Sequence, residues 1–161
     1  AAQAARADSI CAVNTMPGMV IDIASAHPVL ANGEGGISGP ALLPIAVRSV
    51  WCIAREVDIP VIGTGGVQTG LDAVQMLMAG AAAVGVGSAL YYRGPEAMGL
   101  ILRELSDWMG AHGRASLAGV RGAALRAPPY GRAPSPPPIP GRENAHAAGG
   151  RESIGGTGAE R

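Results

Sequence analysis

Short runs of consecutive apolar residues alternate with longer stretches whose apolar residues recur every three or four positions. Ser9–Asn14 is a compact apolar run that closes on the polar pair Asn14-Thr15, and it predicts a buried strand. From Ala41 to Val57, the residues Leu43, Val47, Val50, Ala54 and Val57 fall on one side of a helix. Arg48, Arg55 and Glu56 fall largely off that side, and Pro40 stands near the first turn, where proline is tolerated. Ile59–Ile62 predicts a second strand. A helix then starts at Thr69/Gly70, carries Leu71, Val74, Leu77 and Met78 inward, and stops at Gly80. Ala81–Val86 predicts a third strand. A last helix from near Pro95 turns Met98, Ile101, Leu102, Leu105, Trp108 and Met109 inward. Strand and helix alternating in this way predict a parallel α/β arrangement.

Two stretches break the alternation. Met16 to Gly39 is a long connection rich in Gly, Pro and Asn, and connections of that length inside compact domains usually carry function or are disordered. Near Gly113 the aliphatic payload falls away. From Ala127 the chain is rich in Pro, Gly, Ala and Arg, which cannot offset its ordering entropy by burial. The expected division is therefore an α/β portion over 1–112 and a disordered tail over 113–161. The Pro-Ser-Pro-Pro-Pro run at 134–138 is read as part of that solvated tail rather than as a docking ligand.

Composition narrows the chemistry. The chain has 161 residues, short of the roughly 250 of a typical complete (β/α)₈ barrel. Formal net charge is zero, which offers no attraction to nucleic acid or to an anionic membrane. Every basic residue is arginine, so no lysine of this chain forms a Schiff base or clamps a phosphate. Phenylalanine is absent, and the core must be aliphatic and methionine-rich. Cys11 and Cys52 lack metal-ligand spacing and fit a reducing, cytoplasmic setting. Cys11, mid-strand among apolar neighbours, is expected to be inert core, and Cys52 to pack on its helix. The start lacks both an initiating methionine and a signal-peptide pattern, and reads as the continuation of something longer.

Two glycine-bearing strand ends carry the strongest chemical signal: Gly63-Thr64-Gly65-Gly66 and Gly85-Val86-Gly87-Ser88, one strand–helix unit apart. Parallel barrels that hold a phosphate do so with the loops after their last two strands, using exposed main-chain N–H groups. The middle of the chain thus reads as the phosphate-holding end of a (β/α) barrel. Taken singly, Gly65-Gly66 reads as a tight turn between strand and helix before it reads as an anion site, Gly87-Ser88 is a weaker signal still, and Asn14-Thr15 reads as an ordinary strand-end turn.

Taken together, the motifs resemble a family. Asn14-Thr15-Met16-Pro17-Gly18-Met19-Val20-Ile21-Asp22, Leu30-Ala31-Asn32 and Gly35-Gly36-Ile37-Ser38-Gly39-Pro40 resemble the C-terminal part of class 1 dihydroorotate dehydrogenases, most closely the class 1B catalytic subunit. Ile62–Val67 and Ala83–Ala89 continue the likeness, which covers about residues 8–112. The resemblance implies the C-terminal part, about three βα units, of a TIM (β/α)₈ barrel that binds FMN and oxidises dihydroorotate to orotate in pyrimidine synthesis. It implies that Asn14 and Thr15 bind the substrate, whose imide edge an amide and a hydroxyl can pair. It implies that Val13 and Gly39 line the flavin and that Gly65, Gly66, Gly87 and Ser88 hold its phosphate. No catalytic residue is implied here: the family's base and flavin-contacting lysine lie upstream, and neither cysteine is the catalytic one. A partner subunit with FAD and an iron–sulfur cluster is implied by class 1B. His27 is expected to be a solvated loop residue, Asp22 a loop-anchoring acceptor, and no metal site is expected.

Two other readings stay open at this point. The glycine motifs recur in other FMN-binding barrel oxidoreductases, and a half-barrel with open strand edges could bind phosphate without catalysis and self-associate.

Overall fold

The computed structural model describes residues 1–127, and the segment from 128 onward, which holds most of the expected tail, lies outside the described residues. Three parallel strands, β1 (Ile10–Ala12), β6 (Val61–Thr64) and β7 (Ala83–Gly85), form one sheet in the order β1-β6-β7. Ile10 pairs with Val61 and Ala12 with Gly63, while Ile62 pairs with Ala83 and Thr64 with Gly85. Between them run α1 (Leu43–Glu56) and α2 (Gly70–Met78), and after β7 come α3 (Ala89–Arg93) and α4 (Ala97–Ala111). The predicted alternation is present.

Alternation within β6 explains where the core lies. Val61 and Gly63 are buried while Ile62 and Thr64 are only half-buried, as expected when successive residues face opposite sides of a strand. A methyl placed on Gly63 would touch Met76 Sδ at 3.1 Å and Val50 Cγ2 at 3.3 Å, so that side faces the helices. Ala46 and Val50 of α1, Ala73 and Met76 of α2, and Ala97 and Ile101 of α4 fill the space against it. The core is aliphatic as expected but not methionine-rich: among the described residues Met76 is the one fully buried methionine, with small residues where elements approach closely.

The opposite side of the sheet is open, and it corrects one expectation. Cys11 is exposed, not core. It is the register partner of Ile62, so it stands on the side away from the helices, on an edge strand. Cys52 is half-buried on α1, as expected of packing.

Several boundaries shift for physical reasons. The second strand begins at Val61 rather than Ile59, because Pro60 has no N–H to give a ladder; its carbonyl instead accepts from Ile10 N at 2.9 Å. On α2, Leu71 is exposed and the inward residues are Ala73, Val74, Met76 and Leu77. On α4, Met98 and Leu102 are exposed, and with Leu105 and Leu117 they line an apolar cleft of about 170 Å³ beside β7. β7 is the other edge of the sheet.

The long connection is an arm of short strands, which was not anticipated. β2 (Met16–Gly18) pairs antiparallel with β5 (Gly35–Ile37), and β3 (Ile21–Asp22) with β4 (His27–Pro28). Asp22 anchors the turn, its carboxylate accepting from Ala24 N at 3.0 Å and Ser25 Oγ at 2.8 Å. These bonds, the Ser25 hydroxyl first, hold its pKa below the usual value. His27 is exposed, with Nδ1 2.6 Å from the Ser25 carbonyl oxygen.

The packed unit also extends to Ala127 instead of stopping at 112. Val120 is 1% exposed and packs against Val74 and Leu77. Gly122 N donates to the Leu77 carbonyl at 2.9 Å, and Arg121 Nη2 to that of Ala82 at 2.9 Å. A short helix, α5 (Ala123–Arg126), brings Leu125 against Gly80.

Candidate functional site

The C-terminal ends of β1, β6 and β7 carry Val13-Asn14-Thr15, Gly65-Gly66 and Gly87-Ser88 respectively, and parallel pairing puts all three on one rim. Val13 N donates to the Thr64 carbonyl at 2.8 Å, extending the ladder by one bond into the site. A methyl on Gly65 would lie 3.1 Å from Val13 Cγ2 and 3.0 Å from Ala46 Cβ. Gly66 adopts φ 78° and a methyl there would strike the main chain of Leu43 at the start of α1. Close packing on α1 therefore accounts for both missing side chains. What this leaves at the rim are the amides themselves: the N–H groups of Gly65, Gly66, Gly87 and Ser88 donate to nothing among the described residues.

Asn14 and Thr15 are both exposed where the arm leaves the sheet. Asn14 Oδ1 accepts from Thr15 N at 2.8 Å, leaving the amide's NH₂ group to donate outward. The Thr15 hydroxyl lies against Gly36 on the returning side of the arm. Gly39, buried at φ 94°, is next to Tyr92 of α3: a methyl there would be 3.2 Å from the Tyr92 hydroxyl. The loop that leads into α1 and the helix that follows β7 therefore meet beside this rim.

Three residues that the sequence did not single out connect these parts. Gln68 Nε2 donates to Ser88 Oγ at 2.9 Å and so ties the loop after β6 to the loop after β7. Arg93, at the end of α3, donates to the Gln68 main-chain carbonyl at 2.7 Å and to both oxygens of Glu104, the shorter bond being 2.5 Å. Glu104 in turn accepts from Gly70 N at 2.7 Å, at the start of α2. The Arg93 hydrogen bond, then that of Gly70, holds the Glu104 pKa below its usual value. Spacing gives no warning of this cluster: Arg93 and Glu104 stand on different helices, and Gln68 is one polar residue in a glycine-rich loop.

Helix α2 offers little to an added anion. Thr69 caps it by accepting from Asp72 N, and Asp72 accepts from Gln68 N at 3.0 Å and Thr69 N at 2.9 Å. The free donors belong to the glycine loops. With the Ser88 hydroxyl beside them, they suit a phosphoryl group, which offers only acceptors. Wider clefts, of about 730 Å³ against Ala1–Ala4, Ile10 and Cys52 and about 410 Å³ against Asp58–Val61 and Arg121, lie at the other ends of the strands. Among the described residues no cluster of His, Cys, Asp and Glu has metal-binding geometry, and no helix is long and apolar enough to cross a membrane.

A family model described as Dihydroorotate dehydrogenase matches residues 1–109. The catalytic subunit of dihydroorotate dehydrogenase B (NAD(+)) from Geobacter sulfurreducens is 47% identical over 74% of this chain and 39% of its own length. That of Methanothermobacter thermautotrophicus is 48% identical, over 76% of this chain and 41% of its own. The crystal structure of DHODH from Eimeria tenella in complex with ferulenol superposes with a TM-score of 0.65 and 26% identity, over 78% of this chain and 33% of that one. The α/β arrangement thus fits part of a TIM barrel. The chain spans about two-fifths of the length of the curated relatives it matches.

Proposed function

Because this chain belongs to the dihydroorotate dehydrogenase family, we propose that it forms the C-terminal part of an FMN-dependent enzyme that oxidises dihydroorotate to orotate in pyrimidine biosynthesis. One observation carries the reading: Asn14-Thr15, Gly65-Gly66 and Gly87-Ser88, far apart in sequence, share one rim of one parallel sheet. The amides of Gly65, Gly66, Gly87 and Ser88 hold the flavin phosphate, with the Ser88 hydroxyl beside them. Val13 and Gly39 flank the flavin ring system. Asn14 presents its NH₂ group, and Thr15 its hydroxyl, to the carbonyl and imide edge of the pyrimidine. The flavin, when bound, supplies the acceptor for the substrate's hydride.

The base that takes the accompanying proton belongs to sequence outside these residues, so the chain alone is an impaired catalyst. Loss of a general base costs about 10²–10⁴-fold in rate. The curated relatives are named NAD(+)-type catalytic subunits. Their names support a second, electron-transfer subunit, and the family resemblance gives that subunit FAD and an iron–sulfur cluster. Two cysteines, free among the described residues, suit a cytoplasmic setting.

The test joins this chain to the upstream part of the Geobacter sulfurreducens relative and follows the flavin absorbance. Orotate should perturb the spectrum and dihydroorotate should bleach it, while the chain alone should do so weakly. Indifference of the joined protein to both compounds would transfer the reading to another FMN-binding barrel oxidoreductase. A folded dimer of the chain that ignores flavin would favour a non-catalytic half-barrel, a reading that the exposed edges at β1 and β7 support.

A further inference from the structure

Gln68 is held on three sides. Its main-chain N–H donates to Asp72 Oδ2 at 3.0 Å, its carbonyl accepts from Arg93 at 2.7 Å, and its side-chain amide donates to Ser88 Oγ at 2.9 Å. Each partner comes from a different element: the first turn of α2, the end of α3 and the loop after β7. A hydroxyl oxygen that accepts one hydrogen bond still has its own hydrogen to donate. Ser88 Oγ donates to nothing among the described residues, so that hydrogen is available to an external acceptor. Arg93 contributes no net charge to the rim, because Glu104 engages its guanidinium through both oxygens. Its effect is exerted through Gln68.

We propose that Gln68 is a positioning residue for phosphate recognition: its amide occupies a lone pair of Ser88 Oγ and thereby turns the hydroxyl hydrogen toward the phosphoryl group. This rests on the cofactor reading above and deepens it. The two loops then act as one receptor, since the residue between Val67 and Thr69 sets the donor direction of a residue in the loop after the next strand. Gln68 Oε1 is buried without a partner among the described residues, and the hydroxyls of a ribityl chain are donors of the kind it lacks. One side chain would thus accept from the sugar alcohol and orient the Ser88 donor toward the phosphate.

Titration of the ¹⁵N-labelled chain with FMN and with riboflavin, read at the amides of Gly65, Gly66, Gly87 and Ser88, tests this at millimolar concentrations that tolerate weak binding. FMN should move these resonances far more than riboflavin. Gln68→Leu should weaken FMN about tenfold, as expected for one hydrogen bond to a charged acceptor. Riboflavin should weaken less, so the preference for FMN narrows. Ser88→Ala should cost about as much, the double variant little more, and Ser88→Thr nearly nothing. Gln68→Glu, whose carboxylate must accept from Ser88 instead of donating, should lose at least as much as Gln68→Leu and serves if the leucine variant does not fold.

If neither ligand moves these amides, the cofactor reading fails and this inference with it. If FMN moves them and both Gln68 variants bind it within twofold of the parent, the cofactor reading stands and the role of Gln68 is overturned.

Discussion

A methyl group at Gly66 would strike the main chain of Leu43, whereas one at Gly87 would meet nothing within 4 Å. Gly66 also holds φ 78°, a region where any side chain is strained. Gly66→Ala should therefore lower unfolding free energy by about 1–3 kcal/mol. Gly87→Ala should stay within about 0.5 kcal/mol of the parent. Urea denaturation of the two variants checks both. In sequence the two glycines look alike, each two residues past the end of its strand. The contacts that separate them come from α1, which no local pattern announces. Asn14-Thr15 was legible because the chain itself places it at a strand end. Gln68 was not, because its importance lies in partners contributed by Ser88 and Arg93.

At the scale of elements, the start of α2 depends on side chains. Thr69 accepts from Asp72 N, and Asp72 accepts from Thr69 N, a reciprocal cap. Thr69→Ala should cost about 1 kcal/mol, measurable as a lower denaturation midpoint. Glu104 extends this support across the packed helices, and its stabilisation is pH-dependent with a definite sign. Its folded-state pKa lies below the ordinary 4.5, so the stabilisation is complete above that value and is lost as pH falls through the folded-state value. The difference in melting temperature between the parent and Glu104→Gln should shrink as pH is lowered from 7 toward 3. A constant difference would mean that the carboxylate's charge plays no part. The regular elements were readable because α1 and α2 repeat their apolar residues at a helical period and β6 opens within a compact apolar run. The arm escaped because β2 and β5 contain Pro17, Gly18, Gly35 and Gly36, residues that sequence patterns assign to turns.

At the largest scale, the described residues build a three-stranded sheet with helices on one side and, among those residues, an uncovered surface on the other. Cys11 marks that surface. In the native state it should react with a thiol reagent well before half-buried Cys52, and joining the upstream sequence of a relative should slow it. Equal rates for both cysteines would contradict this. The exposure of Met98 and Leu102 belongs to the same description: a helix that is amphipathic in sequence shows its apolar side wherever no neighbour is present. Periodicity identifies the apolar side of a helix but not what covers it, which is why these residues were expected inward.

The family match ends at 109, yet packing continues to Ala127. Anyone trimming the protein at residue 109 would remove Val120 from its seat on Val74 and Leu77, and the Arg121 bond that staples Ala82. The cut would fall at the end of the sheet remote from the glycine loops, so it would produce a protein that precipitates while its ligand-facing residues remain intact. Such a failure is easily mistaken for a defective binding site.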